Sequence, residues 1–469
     1  MSEIDHRDEA TAGRDRPGEA ADGSDRPPGP TGLPVVGSTL AASRDGLAFT
    51  DRLATYGDLV AYSAFGEEFV AVFDPDVVEE VLVSRSDEFA KGDFETSFGD
   101  LVAPEGLAFA EGERWRRQRT ALQSAFAPDR IASSADEVVA GTAALVDGWT
   151  DGEVVELGDA FADLTLRVLA RALFDIDLAA ERGAVVREAT RAVAAMVDRF
   201  GLLAFLPEWV PTPTERRYDR AMADLDALVD ELLAERESDP ADRDDLLSLL
   251  VAAADAEGTG MDRGAVRDQL ATFLFAGHET TATALTYACW LLAGNSEVRR
   301  RLDAELDAVP GDRDPEFGDL PALDYTEAVA REALRLYPPV YALYREPREP
   351  AVLGGYRVPA GTTLQLATYR IQRDDRWWDA PDEFRPGRWT DGAAGATTDD
   401  SRPEYAYFPF GAGPRHCIGM RFAMTELRLA LATLARRVEF ERVTTAVEPS
   451  MGLTLDPGPV EVRVRKQGR

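Results

Sequence analysis

Cys417 is the residue whose type and setting point most directly to chemistry. It lies in a glycine-punctuated loop that runs directly into a helical pattern from Met420 to Arg436. A thiolate at the N-terminus of a helix is stabilised by the helix dipole and by free N–H groups, here those of Ile418 and Gly419. Nearby glycines let the backbone approach a large flat ligand closely, and Arg415 can pair with an anionic substituent of that ligand. The alternative, a buried cysteine beside a tight turn, does not account for this spacing of phenylalanine, glycine and arginine.

The loop has a specific pattern, Phe410-x-x-Gly413-x-Arg415-x-Cys417-x-Gly419, which resembles the haem-thiolate loop of the cytochrome P-450 monooxygenases. The resemblance implies haem b as the cofactor, with Cys417 as the axial ligand of the iron and Phe410 packed against the sulfur. Thiolate donation in that family favours O–O cleavage. The resemblance also implies a mainly α-helical fold with small β-sheets, in which haem lies between a long central helix and the cysteine loop.

A long helix is predicted from about residue 262 to 292, apolar on most faces and therefore buried. At 1.5 Å per residue it spans about 45 Å, enough to cross a domain. Its middle carries Ala276-Gly277-His278-Glu279-Thr280-Thr281, a polar interruption typical of a functional site. The Thr280 hydroxyl can bond the carbonyl of Ala276 and loosen the helix there. The alternative is a helix that tolerates a polar patch.

The family has a small residue, glycine, any residue, an acid and threonine at this place, and this sequence matches that pattern. The resemblance therefore implies that Glu279 and Thr280 form the acid–alcohol pair that delivers protons during oxygen activation. The resemblance also implies that Ala276 and Gly277 contact the cofactor and form a groove that makes room for the bound dioxygen. His278 falls on the variable position, so we assign it no role as a ligand.

Several arginines correspond to residues that bind the haem propionates in the family. Trp115 and Arg119 match a tryptophan and an arginine four residues later, and Arg345 lies eleven residues before Tyr356, where members often have another such arginine. Charge-assisted bonds to two carboxylates would give specificity for haem. Without the resemblance, the arginine-rich stretch around Trp115 would indicate a solvated helix face.

Glu332 and Arg335 are three residues apart and share one face of a predicted helix. In the family such a pair joins a downstream arginine, here Arg388, in a structural triad that supports the haem loop. Gly387 departs from the larger residue that is usual beside that arginine. Cys289 is predicted to be a core residue.

Composition excludes several classes of protein. The chain has 469 residues, of which 51 are basic and 85 acidic, for a net charge of −34. Such a surface repels polyphosphate, so nucleic-acid binding is disfavoured. Lysine occurs only at positions 91 and 466, and acid excess with scarce lysine predicts adaptation to high salt. Two cysteines cannot form a disulfide scaffold, which fits a reducing compartment. The sequence contains no run of 18 or more apolar residues, so a membrane span is not predicted. A cytoplasmic protein is therefore expected.

The predicted organisation is a disordered tail at residues 1–26 followed by one P-450 domain at residues 27–469. Strands are expected at 59–63 and 69–73, mainly helices from 76 to 310, and strands again within 344–368. A closing strand pair is expected at 453–464. Residues 392–401 are small and polar, which predicts a surface loop.

The resemblance implies substrate contacts from four stretches: 94–109, 196–209, 273–280 and 340–343. A fifth candidate is 451–453, and the loop at 200–209 is the expected lid, with core packing or contact with membrane lipid as alternatives. These stretches are rich in apolar side chains, which predicts an apolar substrate such as a fatty acid, a terpenoid or another isoprenoid. Oxygen is the co-substrate, and no reductase region is recognised. Electrons are therefore expected from a separate protein, such as a ferredoxin with its reductase.

Two other functions remain compatible with the cysteine loop. A peroxide-dependent or isomerising haem-thiolate enzyme needs no proton relay, and the intact pair of Glu279 and Thr280 argues against it. A haem-thiolate sensor would bind a gas or an effector without turnover, which a pocket combined with a relay disfavours. The favoured function is a monooxygenase that inserts one oxygen atom from O2 into an apolar substrate.

Overall fold

The computed structural model describes residues 26–34, 36–178, 180–202, 212–238, 245–255, 261–390 and 402–467. As predicted, this part of the chain is mainly α-helical with small β-sheets. The predicted tail (but for residue 26), most of the lid and the loop at 392–401 lie outside the described residues. None of the described helices has the length and hydropathy needed to cross a membrane.

The helices are numbered in chain order. They are α1 (Thr39–Arg44), α2 (Gly46–Ala54), α3 (Pro75–Glu79), α4 (Gly92–Val102), α5 (Gly112–Leu122), α6 (Pro128–Gly148), α7 (Leu157–Phe174), α8 (Ala180–Leu202), α9 (Pro213–Ser238), α10 (Leu246–Asp255), α11 (Arg263–Ala293), α12 (Ser296–Ala308), α13 (Asp324–Leu336), α14 (Thr368–Ile371) and α15 (Met420–Arg437).

The strands are short. They are β1 (Leu59–Ala64), β2 (Glu67–Val72), β3 (Phe89–Ala90), β4 (Val154–Glu156), β5 (Leu343–Pro347), β6 (Ala351–Leu353), β7 (Tyr356–Val358), β8 (Thr363–Leu366), β9 (Val438–Arg442), β10 (Ser450–Met451), β11 (Leu455–Asp456) and β12 (Glu461–Lys466).

The strands form one larger sheet and three small ones. The larger sheet has the order β1-β2-β8-β5-β3, in which only β2 and β8 are parallel. The predicted hairpin around Gly66 is confirmed as β1 and β2. The predicted pairing of two strands within 453–464 is wrong, because β11 pairs with β10 while β12 pairs with β4 and β9. Pro457 and Pro459 separate β11 from β12, and proline has no N–H to donate to a strand ladder.

The central helix α11 confirms the long helix predicted near residues 262–292. It begins after Asp262, whose carboxylate accepts a hydrogen bond from the N–H of Ala265 at 2.9 Å, and it ends before Gly294. Side chains are buried around its whole circumference, which accounts for its lack of a polar face. It lies in the large helical core, whereas two smaller hydrophobic clusters cover the five-stranded sheet.

A buried charge cluster, which we call the Glu332 cluster, comprises Glu332, Arg335, Arg388 and Trp389. Glu332 and Arg335 are fully buried, and the guanidinium of Arg335 donates two hydrogen bonds to the carboxylate at 2.9 and 3.0 Å. Arg388 and the indole N–H of Trp389 each add a bond of 2.9 Å to the same carboxylate. The predicted triad is therefore present. It ties α13 to the segment that precedes the cysteine loop.

We predict that Arg388→Met lowers the free energy of unfolding of the haem-loaded protein by about 3–5 kcal/mol, because Glu332 keeps its buried charge but loses a partner. Denaturant unfolding measures this loss. Arg385→Met is the matched control, since the Arg385 guanidinium pairs with Asp379 at the surface at 2.7 Å. Its expected cost is below about 1 kcal/mol. Equal losses in the two variants would contradict a supporting role for the cluster.

Candidate functional site

The cysteine loop is shaped by two glycines. Gly411 and Gly413 have φ values of +69° and +64°, which disfavour residues with a Cβ. A Cβ at Gly413 would lie 1.9 Å from the carbonyl oxygen of Leu82, so the loop can pass this close only with glycine there. The N–H of Cys417 then donates to the carbonyl of Phe410 at 2.9 Å.

The Cys417 residue is solvent-accessible, and it lines a cavity that the loop borders. The protein atoms around the Cys417 thiol reduce its solvation and so raise its pKa. The N–H of Gly419 and the positive charge of Arg119 act to lower this pKa. Coordination to a metal ion deprotonates a thiol outright. Donor type, accessibility and flanking N–H groups thus fit the thiolate ligand that the sequence predicts.

The cavity has a volume of about 350 Å³ and is bordered by both α11 and the cysteine loop. Ala276, Gly277 and Thr280 line it from α11. The other apolar lining residues include Leu107, Phe126, Leu169, Leu173, Phe273, Val340, Leu343 and Phe422. Three of the predicted substrate stretches therefore contribute, whereas residues 451–453 are absent from the lining that the described chain provides.

Four cationic side chains line the same cavity: Lys91, Arg119, Arg345 and Arg415. Arg415 pairs with Glu111 at 2.7 Å, and its guanidinium lies 4.5 Å from the ring centroid of Trp115. Arg119 donates to the carbonyl of His416 at 2.9 Å. The structure thus brings together the predicted residues Trp115, Arg119, Arg345 and Arg415, which are distant in sequence.

Lys91 is a site residue that the sequence analysis missed. It is buried, and its ammonium contacts Glu95, which also pairs with Arg345 at 3.2 Å. Burial lowers the pKa of Lys91, with Glu95 opposing that shift. The only signal in the sequence was the rarity of lysine in this chain. Two carboxylates, Glu95 and Glu111, thus accompany four lining cations, which leaves positive charge for an anionic ligand.

The middle of α11 presents its polar residues in different directions. The hydroxyl of Thr280 lines the cavity and donates to the carbonyl of Ala276 at 2.8 Å, as predicted. A Cβ at Gly277 would lie 2.7 Å from a methyl group of Leu169, so this glycine also allows α7 to pack closely. Glu279 does not line the cavity. Burial raises the pKa of its carboxyl group, helped by the charge of Asp456.

Comparison with known proteins agrees with this geometry. A family model described as cytochrome P-450 matches residues 27–464. Cyclooctatin synthase from Streptomyces melanosporofaciens is 36% identical over 92% of this chain and 94% of its own length. Cyclooctat-9-en-7-ol 5-monooxygenase from the same organism is 36% identical over 87% of this chain and 88% of its own. Pentalenene oxygenase from Streptomyces avermitilis is 32% identical over 86% of this chain and 89% of its own length.

The family match extends over most of the chain and includes the elements that frame the cavity. Family members use haem b, the cofactor that the sequence predicts. The chain therefore belongs to the cytochrome P-450 family of haem-dependent monooxygenases.

Proposed function

We propose that this protein inserts one oxygen atom from O2 into a C–H bond or across a double bond of an isoprenoid, with Cys417 as the thiolate ligand of haem. The observation that carries the proposal is one cavity that joins this thiol, a cluster of cations and the Thr280 hydroxyl. When bound, haem supplies oxygen activation, which a thiolate ligand favours. The chain's own residues hold it, orient the substrate and manage protons.

The residues that would hold haem fall into two groups on the cavity lining, one for the iron and one for the propionates. Cys417 would ligate the iron, with Phe410 beside the sulfur, and Ala276 and Gly277 would leave room for the group next to α11. The propionates would be bound by Trp115 and the cationic side chains of the lining, namely Lys91, Arg119, Arg345 and Arg415. The charge of these lining residues supports the assignment, since two carboxylates offset only part of four cations.

The first test is the reduced carbon-monoxide difference spectrum of Cys417→Ala. We expect complete loss of the Soret position that indicates thiolate ligation, because no other described cysteine lines the cavity. Cys289→Ala is the control, since Cys289 is buried elsewhere on α11. The spectrum of this variant should match that of the wild type. A thiolate spectrum retained in Cys417→Ala would refute the ligand assignment.

We propose a cyclic isoprenoid as substrate because of the lining and the relatives. The cavity walls are mainly Leu, Phe, Val and Ala, which bind an apolar molecule without demanding polar groups on it. Three relatives are named for cyclooctatin, cyclooctat-9-en-7-ol and pentalenene. These names favour a terpenoid over a fatty acid, the other apolar class that the sequence allows.

For proton delivery we propose Thr280, supplied by Glu279. We expect Thr280→Ala to lower product formed per O2 consumed by at least about fivefold and to raise release of hydrogen peroxide. Thr283→Ala is the control, because the Thr283 hydroxyl faces Thr454 at 3.4 Å, away from the cavity lining. Unchanged coupling in Thr280→Ala would remove Thr280 from the relay.

The same assay tests the substrate class when pentalenene, cyclooctat-9-en-7-ol and palmitic acid are supplied in turn to the wild type. We expect turnover of the isoprenoids, and turnover of the fatty acid alone would contradict the isoprenoid assignment.

We propose a ferredoxin with its reductase as the electron donor in the cytoplasm. The strongly acidic chain would repel an acidic ferredoxin, but Arg117 on α5 and Arg421 on α15 are exposed beside the segments that frame Cys417. In molar salt, the condition that the composition favours, long-range repulsion is screened and such a local basic surface can orient the partner.

Charge reversal tests this surface. We expect the double variant Arg117→Glu with Arg421→Glu to slow reduction by ferredoxin about tenfold at moderate salt, while reduction by dithionite is unchanged. The matched control reverses Arg52 and Arg357, which are exposed on α2 and β7. Equal slowing in the two double variants would show a general charge effect and exclude this docking surface.

A further inference from the structure

His278 has an unpartnered ring nitrogen in the middle of α11. The side chain is fully buried. Its Nδ1 contacts the carbonyl of Leu274 one turn earlier, and a carbonyl can only accept, so Nδ1 carries the ring hydrogen. Nε2 is therefore a bare acceptor. It has no hydrogen-bond partner among the described residues, a costly condition for a buried polar atom.

The carboxyl group nearest to this nitrogen belongs to the next residue. Oε2 of Glu279 lies 3.9 Å from Nε2 of His278, about 1 Å beyond hydrogen-bond length. An ionised carboxylate and a bare ring nitrogen are both acceptors and repel each other, whereas a protonated carboxyl can donate to the nitrogen. A small rotation of the Glu279 side chain would thus satisfy Nε2, but only when Glu279 carries a proton.

The charges around the pair keep the imidazole neutral. Burial and the guanidinium of Arg187 on α8 lower the pKa of His278 to about 4, although the bond to the Leu274 carbonyl opposes this shift. Arg187 is itself paired with Asp163 of α7 at 2.6 Å. The groups that face Glu279 are Asp159 of α7, Arg191 of α8 and Asp456 of β11. Burial and the two acids raise the pKa of Glu279, while Arg191 acts to lower it. The imidazole of His278 is therefore neutral at neutral pH, and burial shifts Glu279 toward its protonated form.

We propose that His278 is a positioning residue for the proton relay, whose Nε2 accepts a hydrogen bond from the protonated carboxyl of Glu279 and keeps that proton available to Thr280. When Glu279 gives up its proton, the O–H···N bond is lost and the carboxylate is repelled from Nε2. Uptake of a proton at the partly exposed side of Glu279 restores the bond. The inference rests on the proposed function, in which Glu279 supplies Thr280.

Infrared spectroscopy of the haem-loaded protein tests the bond directly. We expect a carboxylic-acid C=O band at neutral pH that disappears in Glu279→Gln. In His278→Leu this band should move to higher frequency and titrate about one pH unit lower, because the protonated form loses its acceptor. His278→Gln should restore the wild-type behaviour, since its amide can donate to the Leu274 carbonyl and accept from Glu279.

Thr165→Val is the matched control. The Thr165 hydroxyl donates to the main-chain carbonyl of His278 at 2.9 Å, so this variant disturbs the same contact between α7 and α11 without touching Nε2. We expect its Glu279 band to titrate as in the wild type. An identical shift in Thr165→Val and His278→Leu would assign the effect to packing and overturn the proposal.

The pH profile of coupling gives a second readout. Product formed per O2 should begin to fall about one pH unit lower in His278→Leu than in the wild type, because Glu279 loses its proton sooner. If His278→Leu does not fold, the infrared spectrum of the wild type still tests the proposal. The absence at pH 7 of a carboxylic-acid band assignable to Glu279 would overturn it. The carbon-monoxide spectrum is independent of these results, so failure of haem-thiolate ligation would be recognised separately.

Discussion

The ionised carboxylate of Glu332, buried among the donors of Arg335, Arg388 and Trp389, is the constraint on which the rest of the site depends. A buried charge is tolerated only when its hydrogen bonds are complete, so the segments that carry these donors must meet in one arrangement. Arg335 also donates to the carbonyl of Gln372 at 2.9 Å. The Gln372 side chain in turn accepts from the N–H of Phe408 at 3.0 Å, directly before the cysteine loop. The cluster thus reaches the loop through two hydrogen bonds.

Charge is distributed unevenly between the surface and the cavity. The chain carries a net charge of −34, yet Lys91, Arg119, Arg345 and Arg415 line one cavity. Opposite charges at Glu95 and Glu111 hold three of these cations in place. In the proposed role of these cations at the haem propionates, the ion pairs would lower the cost of binding, because the donors are already ordered. The net charge of the chain and the charges of these lining side chains therefore differ in sign.

The middle of α11 serves two directions at once. Toward the cavity it presents small residues and the Thr280 hydroxyl, whereas His278 and Glu279 face charged residues of α7, α8 and β11. Because successive residues on a helix point about 100° apart, neighbours in the motif necessarily face different environments. Gly277 both lines the cavity and contacts α7, because the absence of a Cβ leaves space in the cavity and lets Leu169 approach. The residues of this motif therefore determine how α11 packs against α7 as well as which polar groups face the cavity.

Local patterns determined much of this protein. The cysteine loop, the bond from Thr280 to Ala276 and the bounds of α11 and α15 could be predicted because each depends on residues within a few positions of one another. The pairing of β12 with β4 and β9, the place of Lys91 beside Arg345, and the direction of Glu279 could not. These depend on distances between segments far apart in the chain, which hydrophobic packing and buried charge pairing set together. Sequence by itself thus determined which chemical groups are present and their order along each element, and only the tertiary structure decided which of them share one cavity, because spatial proximity is a property of the packed chain.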